Sequence, residues 1–159
     1  MICYNCGGQM GPVERVNYEY LALPGVVLVG VQAQPCLQCG QVEYEIPDVA
    51  GLNSMLAETL VRKPGRLAAH EVRFLRKQLG WSAQDFAGRL GVVPETVSRW
   101  ENGHVTIGET PDKLLRMFIV HSLSLTAYKL DYLDAVANGD APPLQLEVSG
   151  DAGWHVRAA

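Results

Sequence analysis

No apolar run in this chain of 159 residues reaches the ~18–20 residues needed to cross a bilayer. The opening stretch, MICYNCGG, is not a basic segment followed by an apolar one. No secretory signal is expected, and the protein is placed in the cytoplasm with no membrane partner. Catalytic patterns are missing too. The histidines, His70, His104, His121 and His155, are scattered. No HExxH, Walker motif, His/Asp/Ser grouping or catalytic pair of acids is present, so no enzyme is expected. Cysteine is limited to four residues, too few for a disulfide scaffold in a chain of this length. Charge is sparse as well, at 19% of residues with a net of -4, while 48% of residues are hydrophobic. That balance describes a globular protein rather than a disordered one.

The four cysteines are grouped. Cys3-x-x-Cys6 and Cys36-x-x-Cys39 are each followed by glycine, Gly7 and Gly40. Two such knuckles can place four thiolates around one tetrahedral Zn²⁺, and a four-cysteine site leaves no open position for substrate. One structural zinc is therefore the expected cofactor, with the glycines letting backbone amides approach the sulfurs. Two disulfides, or a redox pair of CxxC thiols, are the other readings. The redox reading lacks a flanking βαβ pattern. Between the knuckles, Val13–Leu21 and Val26–Gln34 read as strands around a Pro24-Gly25 turn, and Gln41–Ile46 reads as a third. Tyr18, Tyr20, Leu21 and Leu23 are either core or a sticky edge.

The most informative stretch is Ser82–Gly103, SAQDFAGRLGVVPETVSRWENG. Two short amphipathic runs meet at Gly91, with Phe86, Leu90, Val92, Val97 and Trp100 facing one way and the small Ala87 at the crossing. That is a helix-turn-helix layout. Ser82 is an N-cap with Asp85 at N3, Gly91 suits a left-handed turn, and Pro94 suits N1 of the second helix. Once Val97 and Trp100 point inward, Glu95, Thr96, Ser98 and Arg99 must point outward. Arg99 is the first candidate for base readout, because a guanidinium matches the O6/N7 edge of guanine. A surface pair with Glu95 is the competing reading. Thr96 and Ser98 suit phosphate or minor base contacts. Arg62–His104 carries eight Lys/Arg against four acids, whereas Met1–Ile46 carries Arg15 against four glutamates. The middle of the chain therefore suits a polyanion, and the acidic start suits a basic partner.

Elsewhere, Asp48–Val61 has Val49, Leu52, Leu56 and Leu60 at helical spacing. Arg62-Lys63-Pro64-Gly65 then reads as a hinge. Arg66–Leu79 is expected as a helix closed by Gly80, its Arg73, Arg76 and Lys77 available for phosphate or simply solvated. Thr110-Pro111 reads as N-cap and N1 of a helix through Ile119, and Leu125–Ala137 as another. These last helices are the expected dimer interface, since a unit this small works on two half-sites. Leu144–Val148 and Trp154–Arg157 read as a hairpin needing a docking surface.

LGWSAQDFAGRLGVVPETVSRWENG resembles the Cro/C1-type (XRE) helix-turn-helix family over about Glu71–Phe118. The resemblance implies groove-reading positions at Pro94, Glu95 and Arg99, and phosphate contacts near Ser82, Gln84 and His104. The chain departs from the family at Ala83, where a phosphate-bonding Gln is usual, and at Val93, where a polar cap is usual. A CxxCG…CxxCG domain ahead of such a unit resembles the MqsA-type antitoxins (YgiT-type zinc finger proteins) over about Met1–Ser124. That resemblance implies a zinc domain that neutralises a basic toxin and a dimeric DNA-binding domain that represses the operon at a palindrome. The alternative is a stand-alone regulator whose zinc domain is structural or sensory. The expected architecture is α+β: a small antiparallel zinc-ribbon-like domain at 1–46, a helical connector and hinge at 47–65, an all-helical helix-turn-helix domain with dimerisation helices at 66–137, and a C-terminal extension at 138–159.

Overall fold

Valine-rich and leucine-rich residues with β-branched alternation form the centre of the sheet. In the computed structural model, which describes residues 1–139 and 141–157, three strands are Glu14–Glu19 (β1), Val26–Pro35 (β2) and Val42–Glu45 (β3). β1 runs antiparallel to Val27–Ala33 of β2, and β3 pairs antiparallel with the last four residues of β2. Gly30 adopts φ +74° opposite the register shift between Val16 and Tyr18. An L side chain rarely accepts that conformation, so glycine makes the bulge.

The C-terminal extension completes this sheet. Leu146–Ser149 (β4) lies parallel to Val26–Val29 of β2, and His155–Val156 (β5) pairs antiparallel with β4. The sheet is thus five-stranded and mixed. The expected hairpin forms in shortened form, and its docking surface is the same chain's own β2. Trp154 Nε1 donates to Pro47 O at 2.8 Å, which fastens the hairpin to the end of β3. Asp140, Ala158 and Ala159 of the expected extension lie outside the described residues.

Five helices of at least eight residues follow the sheet: Val49–Val61 (α1), Ala69–Gln78 (α2), Ala83–Leu90 (α3), Pro94–Glu101 (α4) and Glu109–Ser122 (α5). α1 opens on Asp48, whose carboxylate accepts from the Gly51 amide at 3.0 Å. A Cβ at Gly51 would lie 2.1 Å from that carboxylate, so the glycine serves the cap. Leu52, Leu56 and Leu60 are buried as the spacing requires, while Val49 stays exposed.

Three expected boundaries move. α2 begins at Ala69 rather than Arg66, because Arg66 instead reaches across to donate to Ile107 O at 3.0 Å. α5 is capped by Gly108, which puts Pro111 at the third helical position; a proline is tolerated there because first-turn amides have no intrahelical acceptor. The helix expected over Leu125–Ala137 is reduced to one turn, Asp131–Asp134 (α6), and a 3₁₀ turn, Ala135–Asn138. Ser124, at φ +53°, ends α5 in a left-handed turn, and Leu125 N donates back to Val120 O.

One hydrophobic core runs through both halves of the chain. It joins Tyr20, Leu23, Val26, Leu28 and Val31 of the sheet region, Leu52, Leu56 and Leu60 of α1, Phe86, Val97 and Trp100 of the helix-turn-helix, Leu115 and Ile119 of α5, and Val148 of β4. Of the four residues whose setting was open, Tyr20 and Leu23 are core, Tyr18 is half-buried and Leu21 is exposed.

The segment expected to be a hinge is tied to the rest of the fold by buried polar contacts. Arg116 is fully buried, and its guanidinium donates to the carbonyls of Val61, Lys63 and Gly65 and to Asp112 Oδ1. Asp112 Oδ2 accepts from Leu67 N at 2.7 Å. Buried Lys63 pairs with buried Glu71 at 2.7 Å, and the Glu71 carboxylate also accepts from the amides of Ala68 and Leu144. Much of the hydrogen-bonding capacity of residues 61–67 is therefore engaged by the rest of the fold, which opposes a free hinge, while Arg66 Nε is buried without a partner among the described residues. Breaking a buried ion pair by removing one partner costs about 3–5 kcal/mol, whereas an exposed pair is worth about 0–1 kcal/mol. Urea unfolding should show Arg116→Met destabilised on the larger scale and Arg157→Met, which loses only the exposed pair with Glu147, nearly unchanged.

Candidate nucleic-acid interface and cysteine cluster

The two cysteine knuckles are built alike. Gly7 N donates to Cys3 O at 2.9 Å and Gly40 N to Cys36 O at 3.1 Å, with both glycines at positive φ. An isolated bridge between Met10 and Cys36 joins the knuckles. The four Sγ atoms lie within 4.8 Å of one another, with Cys3–Cys39 at 3.8 Å and Cys6–Cys36 at 3.6 Å. A tetrahedral ion with sulfur bonds of about 2.3 Å separates its ligands by about 3.8 Å, which those two separations match, and the four sulfurs together could hold one metal ion. Disulfide bonds are not formed; all four cysteines are free.

The protonation chemistry points the same way. The Gln41 backbone amide, then Cys6 and Asn5, hold the Cys39 thiol down at about 6. The amides of Cys39 and Gln38 lower Cys36. The Gly8 amide pulls Cys6 down, but the neighbouring sulfurs and desolvation outweigh it and push Cys6 up to about 12. Four sulfurs this close cannot all carry negative charge unaided, and a divalent cation removes that conflict.

The helix-turn-helix is assembled from local signals. Ser82 Oγ accepts from Asp85 N at 3.0 Å, and Asp85 Oδ2 accepts from Ser82 N at 3.1 Å, closing a capping box on α3. Gly91, at φ +68°, turns the chain into α4, whose first residue is Pro94. Phe86, Ala87 and Val97 are buried, and Trp100 packs edge-on to Phe86. This leaves Pro94, Glu95, Ser98 and Arg99 exposed along one side of α4 and Thr96 half-buried. Ser82 and Gln84 are exposed at the start of α3, and His104 in the turn after α4. Among the described residues, no ion pair joins Glu95 to Arg99, so the guanidinium faces solvent. Asn102 donates to Ser98 O and Oγ, which occupies that hydroxyl as an acceptor.

Much of the positive charge of this region is used internally. Arg76 grips buried Glu101 through Nε and Nη2, at 2.5 and 3.0 Å, and donates to Trp81 O. Arg73 lies 3.6 Å from the same carboxylate. Arg76 is therefore neither a free phosphate ligand nor simply solvated, whereas Arg73 sits loosely beside the same carboxylate with its side chain half-exposed. Arg62 pairs with Glu58 and Lys63 with Glu71. Lys77, Arg89 and Arg99 are the cations of this region in no ion pair among the described residues, and Arg89 lies over the Trp81 ring at 4.4 Å. The Arg76–Glu101 lock between α2 and α4 was not legible, because 25 residues separate two side chains that read as surface charges.

Residues 72–110 match the family model described as helix-turn-helix, HTH_3. This segment is an XRE-type helix-turn-helix. The match runs from α2 to the first turn of α5, and it indicates a DNA-binding, transcription-regulator unit over that segment. It does not extend to the cysteine cluster. No curated protein matches the chain. Among the described residues no helix is long and apolar enough to cross a membrane.

The capping box makes the stability of the helix-turn-helix sensitive to Ser82 and to acid. Ser82→Ala should cost about 1 kcal/mol, read by thermal or urea unfolding. The Ser82 side chain and amide hold Asp85 below its ordinary 3.8. A carboxylate depressed on folding adds stability above its unfolded value and loses it as pH falls through the folded value. The share of the cap carried by the Asp85 carboxylate should therefore be full at neutral pH and be lost as the pH falls from 3.8 through the lower folded value.

Proposed function

We propose that this protein is the antitoxin of a type II toxin–antitoxin pair. As a homodimer it represses its own operon at a palindromic operator, and through its cysteine-cluster domain it binds a basic toxin. The observation that carries the DNA half is the unencumbered outer side of α4, where Arg99 has no acidic partner among the described residues. Arg99 reads guanine on this account, with Pro94, Glu95, Thr96 and Ser98 beside it and Ser82, Gln84 and His104 at the backbone. Leu114 of α5 and Leu130 are exposed, which suits burial against a second copy over two half-sites. Arg99→Ala should cost about 1–3 kcal/mol of discrimination between operator and a guanine-substituted site. Unchanged affinity and preference in a gel-shift titration would contradict this role.

The toxin half rests on surface chemistry. Ile2, Tyr4 and Leu37, around the cluster, are 68–77% exposed, and Glu14, Glu19 and Glu45 are exposed on the strands behind them. Exposed apolar side chains in a segment with net negative charge suit a basic protein surface. Coexpression with the adjacent reading frame should give a copurifying basic protein whose toxicity this chain relieves. An operator-binding protein with no such partner would be a stand-alone regulator. The shared core favours that second reading, since it makes the cluster-bearing sheet a structural part of the DNA-binding body.

The cofactor in either reading is one structural Zn²⁺ on Cys3, Cys6, Cys36 and Cys39. Elemental analysis should return one zinc per chain with no thiol free to react. Cys36→Ser should lose both the metal and the protection of the remaining thiols.

A further inference from the structure

A cleft of about 330 Å³ lies between the turn joining β1 to β2 and the outer side of α2. Leu21 and Ala22 come from the turn, Asn53 from α1, and Arg73, Phe74, Lys77 and Gln78 from α2. Its size is near the lower bound for sites that take small organic molecules, about 300 Å³. Its chemistry is one-sided: the lining holds two cations and two amides and no acid, in a chain whose net charge is -4.

One of the polar groups is oriented by a contact outside the cleft. Tyr20 Oη donates to Asn53 Oδ1 at 2.8 Å, which leaves the Asn53 Nδ2 end as the available donor. Lys77 has no ion-pair partner among the described residues. Arg73 is held only loosely, 3.6 Å from Glu101, 3.5 Å from Glu101 O and 3.2 Å from Asn102 Oδ1. Glu101 is already neutralised by the two bonds from Arg76, so the Arg73 charge is surplus to that lock. The walls are apolar: Phe74 is 6% exposed, and Leu21 is 77% exposed at the side of the turn. A DNA phosphate would be met by protruding cations and would have no use for such walls.

We propose that this cleft binds a small organic anion, a carboxylate or phosphate monoester carrying a compact apolar group. Arg73 and Lys77 take the anion, Asn53 and Gln78 donate to it, and the apolar group packs on Phe74 under Leu21. Arg73 also bonds Asn102 at the end of α4. Occupancy therefore draws the guanidinium from the recognition helix and couples the cleft to DNA binding, reciprocally. The coupling rests on the helix-turn-helix reading; the binding itself does not.

Phenyl phosphate and inorganic phosphate are the probes, titrated by calorimetry and by backbone-amide NMR into the full-length, metal-loaded protein without DNA. Phenyl phosphate should bind at least tenfold tighter than inorganic phosphate and shift the amides of residues 21–22 and 73–78. Arg73→Gln with Lys77→Gln should weaken both probes at least tenfold with an unchanged melting temperature. Leu21→Asn should reduce the preference for phenyl phosphate while leaving inorganic phosphate unaffected. The proposal is overturned by absence of binding, by shifts elsewhere, or by equal affinity for the two probes. It is also overturned if the double variant lowers the salt dependence of DNA binding while the parent protein ignores phenyl phosphate, which would make the cleft a DNA-backbone contact.

Discussion

The guanidinium of Arg116 holds together the part of the chain where two domains would otherwise separate. It satisfies the carbonyl of the last residue of α1, two carbonyls of the segment after it and one carboxylate of its own helix, all out of contact with water. Buried charge is tolerable only when its hydrogen-bonding capacity is filled. This requirement fixes the path of residues 61–67, the start of α2 and the placement of α5. The neighbouring Lys63–Glu71 pair extends the constraint to Leu144, and so to the strand that closes the sheet. The strands of the sheet and the helix-turn-helix consequently share one main apolar core, while Cys3, Met10 and Cys36 form a small separate one.

That arrangement changes what the cysteine cluster can do. A metal at the tip of a flexible arm would stabilise only its own few residues. Here Cys36 directly follows β2, and β2 contributes Val26, Leu28 and Val31 to the core reached by Phe86, Val97 and Trp100. A metal held there would sit at the end of the strand that supplies this core. The helix-turn-helix itself is stiffened separately, by the Ser82–Asp85 box, the Phe86–Trp100 contact and the Arg76–Glu101 lock. Its outer side is left to polar residues that no internal contact claims in full.

Local chemistry was the legible part of the sequence. The paired CxxC knuckles, the Ser82 cap, the Gly91 turn, the Pro94 start and the inward Val97 and Trp100 all depend on residues a few positions apart. What could not be read depends on burial at long range. Lys63, Glu71, Asp112 and Arg116 look like ordinary surface charges, and Pro64-Gly65 looks like a break, because nothing in their spacing says that they meet inside the protein. The same blindness overstated the free positive charge, since the partners of Arg73 and Arg76 lie beyond Trp100. The C-terminal strand was visible as a strand, but its parallel partner lies more than a hundred residues earlier. The helix expected over Leu125–Ala137 failed because apolar spacing outlasted the backbone geometry set by Ser124.

The central claim is that the cysteine-cluster sheet and the helix-turn-helix are one cooperative unit. Differential scanning calorimetry of the full-length protein, before and after metal removal by a chelator, tests it most directly. A single transition should move as a whole to lower temperature when the metal is withdrawn, with near-ultraviolet signals from Trp81 and Trp100 lost in that same transition. Two transitions, with only the first responding to the chelator and the tryptophan signals following the second, would contradict it.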